Sequence, residues 1–505
     1  MLDKFRNDDI FFSSSGKTFT SNIFPVNQAV KSKKDRNMKA AFIGGGSLRL
    51  LPIIRGIFAT SPEVFENGEI RLIDLQKGRA EAVARLIIAC PEYATIKNCR
   101  VVVPDSLDDG LPGIDLLYVT MAARTEPIES QARYMSAEYG YFSSDQLSVN
   151  GAFLSLRLGF TILNFARKME QLCPNALMLL FPNPVSVYSH LVNTQTKIRA
   201  LGICGGFSNH RIDLTRLCFS REELDTAWNV VAAGVNHLSF ILRGDYKGED
   251  LYSSLLPRCM KNWENPINKL EFPWITEEWQ KYSLNVGIEG LHKCYEKYNT
   301  LIFSTELDGM AHIFLKEALD YQYFRFGDGK DYDPTGVYEQ DKAAMNARFD
   351  KVAEESRHPE DIDWAAPYTL YSKTTSDLTI PILRALSGLE PMRIVASRPN
   401  YGAVADMPYD APLEYTMDIY KDEIKPVENQ YIPSPFKGLI SSLAEFQALQ
   451  SKALAEHDPL IFAHALEAYP VHQFSDKRNE YFRKMFDLHK DFIDPVMFQA
   501  RKFFE

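Results

Sequence analysis

The stretch Lys39-Ala-Ala-Phe-Ile-Gly-Gly-Gly-Ser-Leu-Arg-Leu-Leu-Pro52 decides the fold of this chain. Ala40 to Ile43 reads as a short apolar strand. Gly44, Gly45 and Gly46 follow as a tight turn, and Ser47 opens a helix running towards Thr60. Glycine lets a backbone approach a pyrophosphate closely, and the N–H groups of a new helix favour negative charge. About 30 residues on, Arg71-Leu-Ile-Asp74 reads as a second strand. Asp74 ends it as an acid able to accept hydrogen bonds from a ribose 2′-hydroxyl. Gly44 and Gly46 fit the first two glycines of G-x-G-x-x-G, while Arg49 stands where the third belongs. Strand, turn, helix and acid together point to dinucleotide binding; the alternative is a βα turn with no ligand.

At 505 residues the chain is long enough for two or three domains with a large core. Hydrophobic residues at 45% and charged residues at 24% suit a globular protein. A formal net charge of −10 provides no broad basic surface, which argues against nucleic acid as a partner. No uninterrupted apolar run reaches about 18 residues, which argues against a membrane span. Seven cysteines without a C-x-x-C pair suggest reduced thiols in a cytoplasmic setting. Residues 1–37 are polar and irregular, lack the apolar core of a signal peptide, and read as a flexible extension.

Strand and helix patterns alternate from Met38 to Cys204. Candidate strands are Lys39–Ile43, Glu69–Asp74, Arg100–Val103, Asp115–Val119, Ala176–Phe181 and Arg199–Ile203. Their continuous apolar character suits a parallel sheet buried on both faces, with helices at Gly78–Ala89 and Leu154–Leu172. The expectation is an α/β chain: a Rossmann-type, doubly wound parallel sheet over residues 38–204, then an α+β domain over 205–505. In the second part, Val230 to Leu242 alternates like a strand about His237. Aromatic-rich helices run from Trp274 to Phe326. Residues 328–366 are strongly charged and read as an excursion or a partner-facing insertion. Ile394–Pro399 reads as a strand, and Gly438–Leu454 and Tyr481–His489 as helices.

Three places carry candidate chemistry. Asn183, between Pro182 and Pro184, leaves the carboxyl end of a strand, where such sheets bind ligands. It is either a turn former or a side chain aimed at nicotinamide or substrate. Cys204 in Gly202-Ile-Cys-Gly-Gly206 and His237 in Gly234-Val-Asn-His237 offer a thiolate and an imidazole, both ligands for borderline divalent metals. Each is also the kind of residue that a core buries. Glu306 and Asp308 near His312 form a set suited to proton transfer, or a polar helix start.

These residues resemble glycoside hydrolase family 4, the NAD- and metal-dependent glycosidases related to lactate and malate dehydrogenases. The matching pieces are Gly44-Gly-Gly-Ser47, Ala122-Ala-Arg124, Phe181-Pro-Asn-Pro184, Gly202-Ile-Cys204, Gly234-Val-Asn-His237, and Pro399-Asn-Tyr-Gly-Ala403 followed by Met407-Pro-Tyr-Asp410. The resemblance implies a lactate dehydrogenase-like second domain and an unusual glycoside cleavage, outside the ordinary two-carboxylate scheme. NAD⁺ takes hydride from sugar C3, a divalent metal polarises the C2 and C3 oxygens, and a base removes the acidified C2 proton. The aglycone leaves by elimination, water adds, and the hydride returns.

Carried over by position, the resemblance implies that Gly44, Gly46 and Ser47 cradle the pyrophosphate and Asp74 holds the ribose. It makes Cys204 and His237 the metal ligands, with Mn²⁺ the expected ion. Asn183 touches the sugar near cofactor and metal, Arg124 binds an anionic group or sugar hydroxyls, and Asn150 stands in a substrate-side segment. Asp145 lies near an acidic family position. Asp308, then Tyr298, are the choices for the C2 base. A homodimer or homotetramer is implied. Departures fall on the sugar side: Gly205 follows Cys204, Pro182 precedes Asn183, and Val149-Asn-Gly-Ala152 replaces an expected Gly-Pro-Gly-Gly. A simple NAD-dependent dehydrogenase, or a relative that binds nucleotide or sugar without turnover, are the alternatives.

Overall fold

The computed structural model describes residues 38–121, 128–304, 307–326, 334–367, 369–374, 377–472 and 475–505. Six parallel strands come first: β1 (Lys39–Ile43), β2 (Glu69–Ile73), β3 (Arg100–Val102), β4 (Leu116–Val119), β5 (Leu177–Leu180) and β6 (Arg199–Gly202). They lie side by side as β3-β2-β1-β4-β5-β6, the doubly wound order. Every residue of β2, β4 and β5 is buried, which is why these strands read as unbroken apolar runs. Each expected strand of this half matches within one residue at either end.

The same sheet continues into the second half. Its strands are β7 (Trp228–Val235), β8 (Leu238–Tyr246), β9 (Glu249–Asp250), β10 (Leu301–Phe303), β11 (Met392–Pro399), β12 (Val404–Ala405), β13 (Pro412–Ile419), β14 (Ile424–Pro426) and β15 (Gln430–Tyr431). β11 runs antiparallel to β6 and meets it where Ser397 faces Gly202. Beyond β11 come β13, β7, β8 and β10, while β12 and β15 pair apart. One hydrogen-bonded sheet therefore ties the cofactor-type half to the rest of the chain.

Two sequence expectations change, and a third gains structural detail. The first helix begins at Leu50 rather than Ser47, because a second turn, closed by Leu50 N–H on the Ser47 carbonyl, follows the glycine turn. Val230 to Leu242 is not one strand. Val235 pairs with Leu238, so β7 and β8 form a hairpin whose two turn residues are Asn236 and His237. The charged stretch expected to face a partner contains the helix Pro334–Glu355. That helix leans on the helix Lys77–Ala89: Arg79 covers the Phe349 ring at 3.8 Å and Arg85 donates to Ser356.

The helix Val149–Leu172 is, among the described residues, long and apolar enough to cross a membrane. Its apolar side chains, among them Phe153, Leu156 and Leu163, are core residues packed inside the fold. The helix starts on Ser148, whose hydroxyl accepts the Gly151 N–H at 3.3 Å.

Gly45 shows how tightly the first turn is set. A Cβ there would stand 2.7 Å from the Ile73 backbone nitrogen. Gly45→Ala is expected to lower stability by about 2 kcal/mol, read as a fall in the thermal midpoint, because backbone rather than a flexible side chain must move.

Candidate active site

The turn after β1 is built on Gly44 at φ +83°, a left-handed conformation that glycine adopts without steric cost. Gly44 and Gly45 both donate their N–H to the Ile73 carbonyl, at 3.0 and 2.9 Å. Gly46 has no room for a side chain, since a Cβ would lie 2.6 Å from Arg79 Cβ. Asp74 fastens this turn: it accepts the Gly46 N–H at 2.9 Å and the Gln76 N–H at 2.8 Å. Each carboxylate oxygen keeps a further lone pair for a ribose hydroxyl. The Ser47 hydroxyl accepts the Arg49 N–H at 3.4 Å. Arg49 itself needs no glycine in its place, because its side chain turns over the sheet edge. There it stacks 3.7 Å from the Phe181 ring centroid and pairs with Asp377 at 3.1 Å.

Three strand positions along the same edge, Cys204 follows β6. Across β1, β4, β5 and β6 the order spans three strand spacings, about 14 Å. Cys204 Sγ accepts the Gly206 N–H at 3.4 Å and lies 3.5 Å from His237 Nε2. Two ligands of one small tetrahedral ion, at bond lengths near 2.3 and 2.1 Å, stand about 3.6 Å apart. The pair therefore fits a shared divalent ion. His237 occupies the second position of the β7–β8 turn at φ +71°. A non-glycine residue there costs about 1–3 kcal/mol, a strain typical of functional positions. Gly309 covers the turn from the other side, where a Cβ would be 2.3 Å from the His237 carbonyl oxygen.

Behind the imidazole stands Asp308, fully buried, with Oδ2 3.1 Å from His237 Nδ1. The same oxygen accepts the Leu147 N–H at 3.1 Å. This arrangement fixes Nδ1 as the protonated nitrogen and turns Nε2 towards Cys204. Burial alone would keep the imidazole neutral. The charge on Cys204 and the hydrogen bond donated to Asp308 outweigh it and hold the pKa well above the usual 6.5.

Asp308, chosen from sequence as the C2 base, is thus committed to orienting His237. Tyr298, the second choice, ends the helix Glu278–Tyr298 and packs edge-on against Phe436 at 4.9 Å. It makes no hydrogen bond to Cys204, His237 or Asp308. An aromatic at a helix end is indistinguishable in sequence from one in a site. Arg124 and Glu306 lie outside the described residues. His312 Nδ1 donates to the Asp308 carbonyl at 3.1 Å and does not join the ion pair.

The segment Asp145 to Leu147 joins the two sides of the site. Asn183 Nδ2 donates to Asp145 at 2.7 Å, and Gln146 Nε2 donates to Asn183 Oδ1 at 2.7 Å. Leu147 reaches Asp308, as above. Both polar atoms of Asn183 are therefore oriented by two adjacent residues. Several fully buried atoms here have no partner: Gln146 Oε1, both amide atoms of Asn150, Asp308 Oδ1 and Asn236 Oδ1. Such orphans are costly unless a ligand completes them. Asn236 donates to Glu414 at 2.7 Å, which leaves its Oδ1 as the free end.

Gln146, Leu147 and Glu414 were not singled out in the sequence. Gln146 had a signal in its neighbour Asp145. Glu414 had none, since it meets Asn236 across 178 positions of chain.

Two family descriptions match this chain: Family 4 glycosyl hydrolase over residues 39–217 and Family 4 glycosyl hydrolase C-terminal domain over residues 232–471. The chain belongs to glycosyl hydrolase family 4. This family 4 hydrolase is 21% identical over 476 residues to an alpha-galacturonidase of Thermoanaerobacter italicus, covering 91% of this chain and 98% of the relative. It is 21% identical over 224 residues to the 6-phospho-beta-glucosidase of Escherichia coli, covering 44% of this chain and 49% of that one. A solved 6-phospho-alpha-glucosidase from gut microorganisms, in complex with NAD and glucose-6-phosphate, shares the fold at TM-score 0.71 and 16% identity. That likeness covers 91% of this chain and 99% of the solved one.

The site of this family 4 hydrolase yields expectations of two kinds, the first for Mn²⁺ binding. Asp308→Asn weakens Mn²⁺ binding about 10–100-fold in a direct titration, because it removes the charge behind the ligand histidine. In the unaltered protein Mn²⁺ affinity rises with pH, about tenfold per unit, until the imidazole has lost its proton.

The second concerns Glu414, whose pKa burial raises to about 7 against the opposing Asn236 hydrogen bond and His237. The folded carboxyl keeps its proton to higher pH than the unfolded one. Stability therefore falls, by on the order of 3 kcal/mol, as pH rises from about 4.5 to about 7. Glu414→Gln has no proton to lose there. Urea midpoints at the two ends of this window should show the slope flattened.

Proposed function

We propose that this family 4 hydrolase cleaves a glycosidic bond with NAD⁺ and a divalent ion, Mn²⁺ in our reading, as resident cofactors. The observation that carries the reading is the 3.5 Å approach of Cys204 Sγ to His237 Nε2 on the sheet edge that bears the glycine turn. Both groups fit the residues present. The Gly44–Gly46 cradle and Asp74 suit a dinucleotide, and a thiolate beside an oriented imidazole suits the ion. When bound, they supply hydride removal and return at sugar C3 and polarisation of the C2 and C3 oxygens.

The chain's own residues do the rest. Gly44, Gly46 and Ser47 form the bare backbone turn that lets the pyrophosphate approach closely, and Asp74 takes the ribose. Asp308 keeps Nε2 of His237 facing Cys204. Asn183, held by Asp145 and Gln146, the free amide of Asn150 and the free Oε1 of Gln146 receive sugar hydroxyls. With Asp308 committed to His237, we assign the C2 proton to Asp145, the carboxylate hydrogen-bonded to Asn183. As that proton leaves, the C1–O bond to the aglycone breaks, and water later adds. The two relatives' names both denote anionic sugars. Arg124 is the residue we assign to such a group. The reading extends to a cytoplasmic homo-oligomer, in keeping with seven free cysteines.

The test is an assay with NAD⁺, Mn²⁺ and a reductant on a panel of aryl uronides and aryl 6-phosphoglycosides. Expected are aglycone release without net NADH and deuterium at C2 from heavy water. Stoichiometric NADH would instead make the protein a dehydrogenase, and NAD⁺ binding with no turnover across the panel a binding protein. Asp145→Asn is expected to lose about 10²–10⁴-fold in turnover and to abolish C2 exchange, with Mn²⁺ affinity kept.

A further inference from the structure

The helix that begins beside Cys204, Gly206–Phe219, ends on a second cysteine, Cys218, in its last turn. Cys259 comes to meet it from the one-turn helix Leu256–Met260. Cys259 Sγ donates to the Cys218 carbonyl at 3.3 Å, which sets the two cysteines in contact. Both are half-buried, whereas Cys90, Cys99, Cys173 and Cys294 are buried.

The two thiols are not equivalent. The neighbouring Cys218 thiol and the Arg258 guanidinium favour the Cys259 thiolate, and burial opposes them. Cys218 keeps its proton, because the neighbouring Cys259 and burial both oppose its charge. Glu249, which pairs with Arg258 at 2.6 Å, is the facing acid. Burial pushes Cys90 and Cys173 up to about 11 and Cys99 and Cys294 up to about 12. Thiolate, not thiol, is the nucleophile, so reactivity concentrates on Cys259.

We propose that Cys218 and Cys259 form a redox-active dithiol that closes to an intramolecular disulfide by exchange with a low-molecular-weight disulfide. The Cys259 thiolate attacks one sulfur of that disulfide. Its S–S bond breaks, one small thiol leaves, and a mixed disulfide remains on Cys259. Cys218 then gives up its proton and attacks Cys259 Sγ, and the second small thiol leaves. Two protein thiols are oxidised and one small disulfide is reduced to two thiols. The bridge would fasten the far end of the helix whose first N–H binds Cys204 Sγ. The proposal stands apart from the glycosidase reading and needs no cofactor or sugar.

The full-length protein, reduced and freed of reductant, is incubated with oxidised glutathione, then acid-quenched, digested and analysed by mass spectrometry. Expected is the loss of two hydrogens, a linked Cys218–Cys259 peptide, and full reversal by dithiothreitol. Cys218→Ser should stop at a stable glutathione adduct on Cys259, and Cys259→Ser should leave Cys218 unmodified. Because either variant can disturb folding, the unaltered protein is also pulsed with iodoacetamide. Cys259 should be alkylated at least about tenfold faster than Cys90, Cys99, Cys173 or Cys294. No linked peptide in the unaltered protein, or equal alkylation of Cys259 and the buried cysteines, overturns the proposal.

Discussion

The contact between Asp308 and His237 is the constraint on which the site rests. A fully buried carboxylate is tolerated only when paired and hydrogen-bonded, and here the imidazole and the Leu147 N–H do both. In return the carboxylate selects one nitrogen of the imidazole to face Cys204. It also anchors a histidine whose backbone sits in a left-handed turn that most residues avoid. Position and tautomer of one candidate ligand thus follow from a single contact, and the strain of the turn is offset by packing from Gly309 and the hairpin itself.

That contact matters functionally because of the sheet. A parallel sheet gathers the loops that leave the carboxyl ends of its strands along one edge. The glycine turn after β1, the Asn183 turn after β5 and the Cys204 turn after β6 share that edge. The antiparallel half, joined through β11, brings the His237 hairpin to the same place. The Asp145–Leu147 segment then spans the gap, touching Asn183 with its side chains and Asp308 with its backbone. The glycine turn and the Cys204–His237 pair are held by one hydrogen-bonded framework.

Much of this was legible from residues alone. The strands of the first half could be placed because burial on both faces leaves an unbroken apolar signature. The glycine turn, Asp74, Cys204 and His237 could be named because each carries a local mark. Other features left no such mark. A strand-like alternation runs through Val230 to Leu242 whether or not the chain reverses at Asn236, since a two-residue turn leaves the period intact. Arg49 looked like a broken glycine motif until its side chain was seen to cross the sheet edge onto Phe181. Asp308 looked like a base because an acid near histidines suits proton transfer; that its Oδ2 orients the His237 ring had no mark in the sequence.

The sequence by itself determined the fold class, the dinucleotide-type turn and the two candidate ligands. Local spacing, apolar runs and glycine chemistry are properties of neighbouring residues, so they can be read in a line. Only the tertiary structure decided which groups meet. Cys204 with His237, His237 with Asp308, Asn183 with Gln146, and Asn236 with Glu414 are contacts between distant segments. They are set by strand order and side-chain direction, and orientation across a folded sheet has no counterpart in the order of residues along the chain.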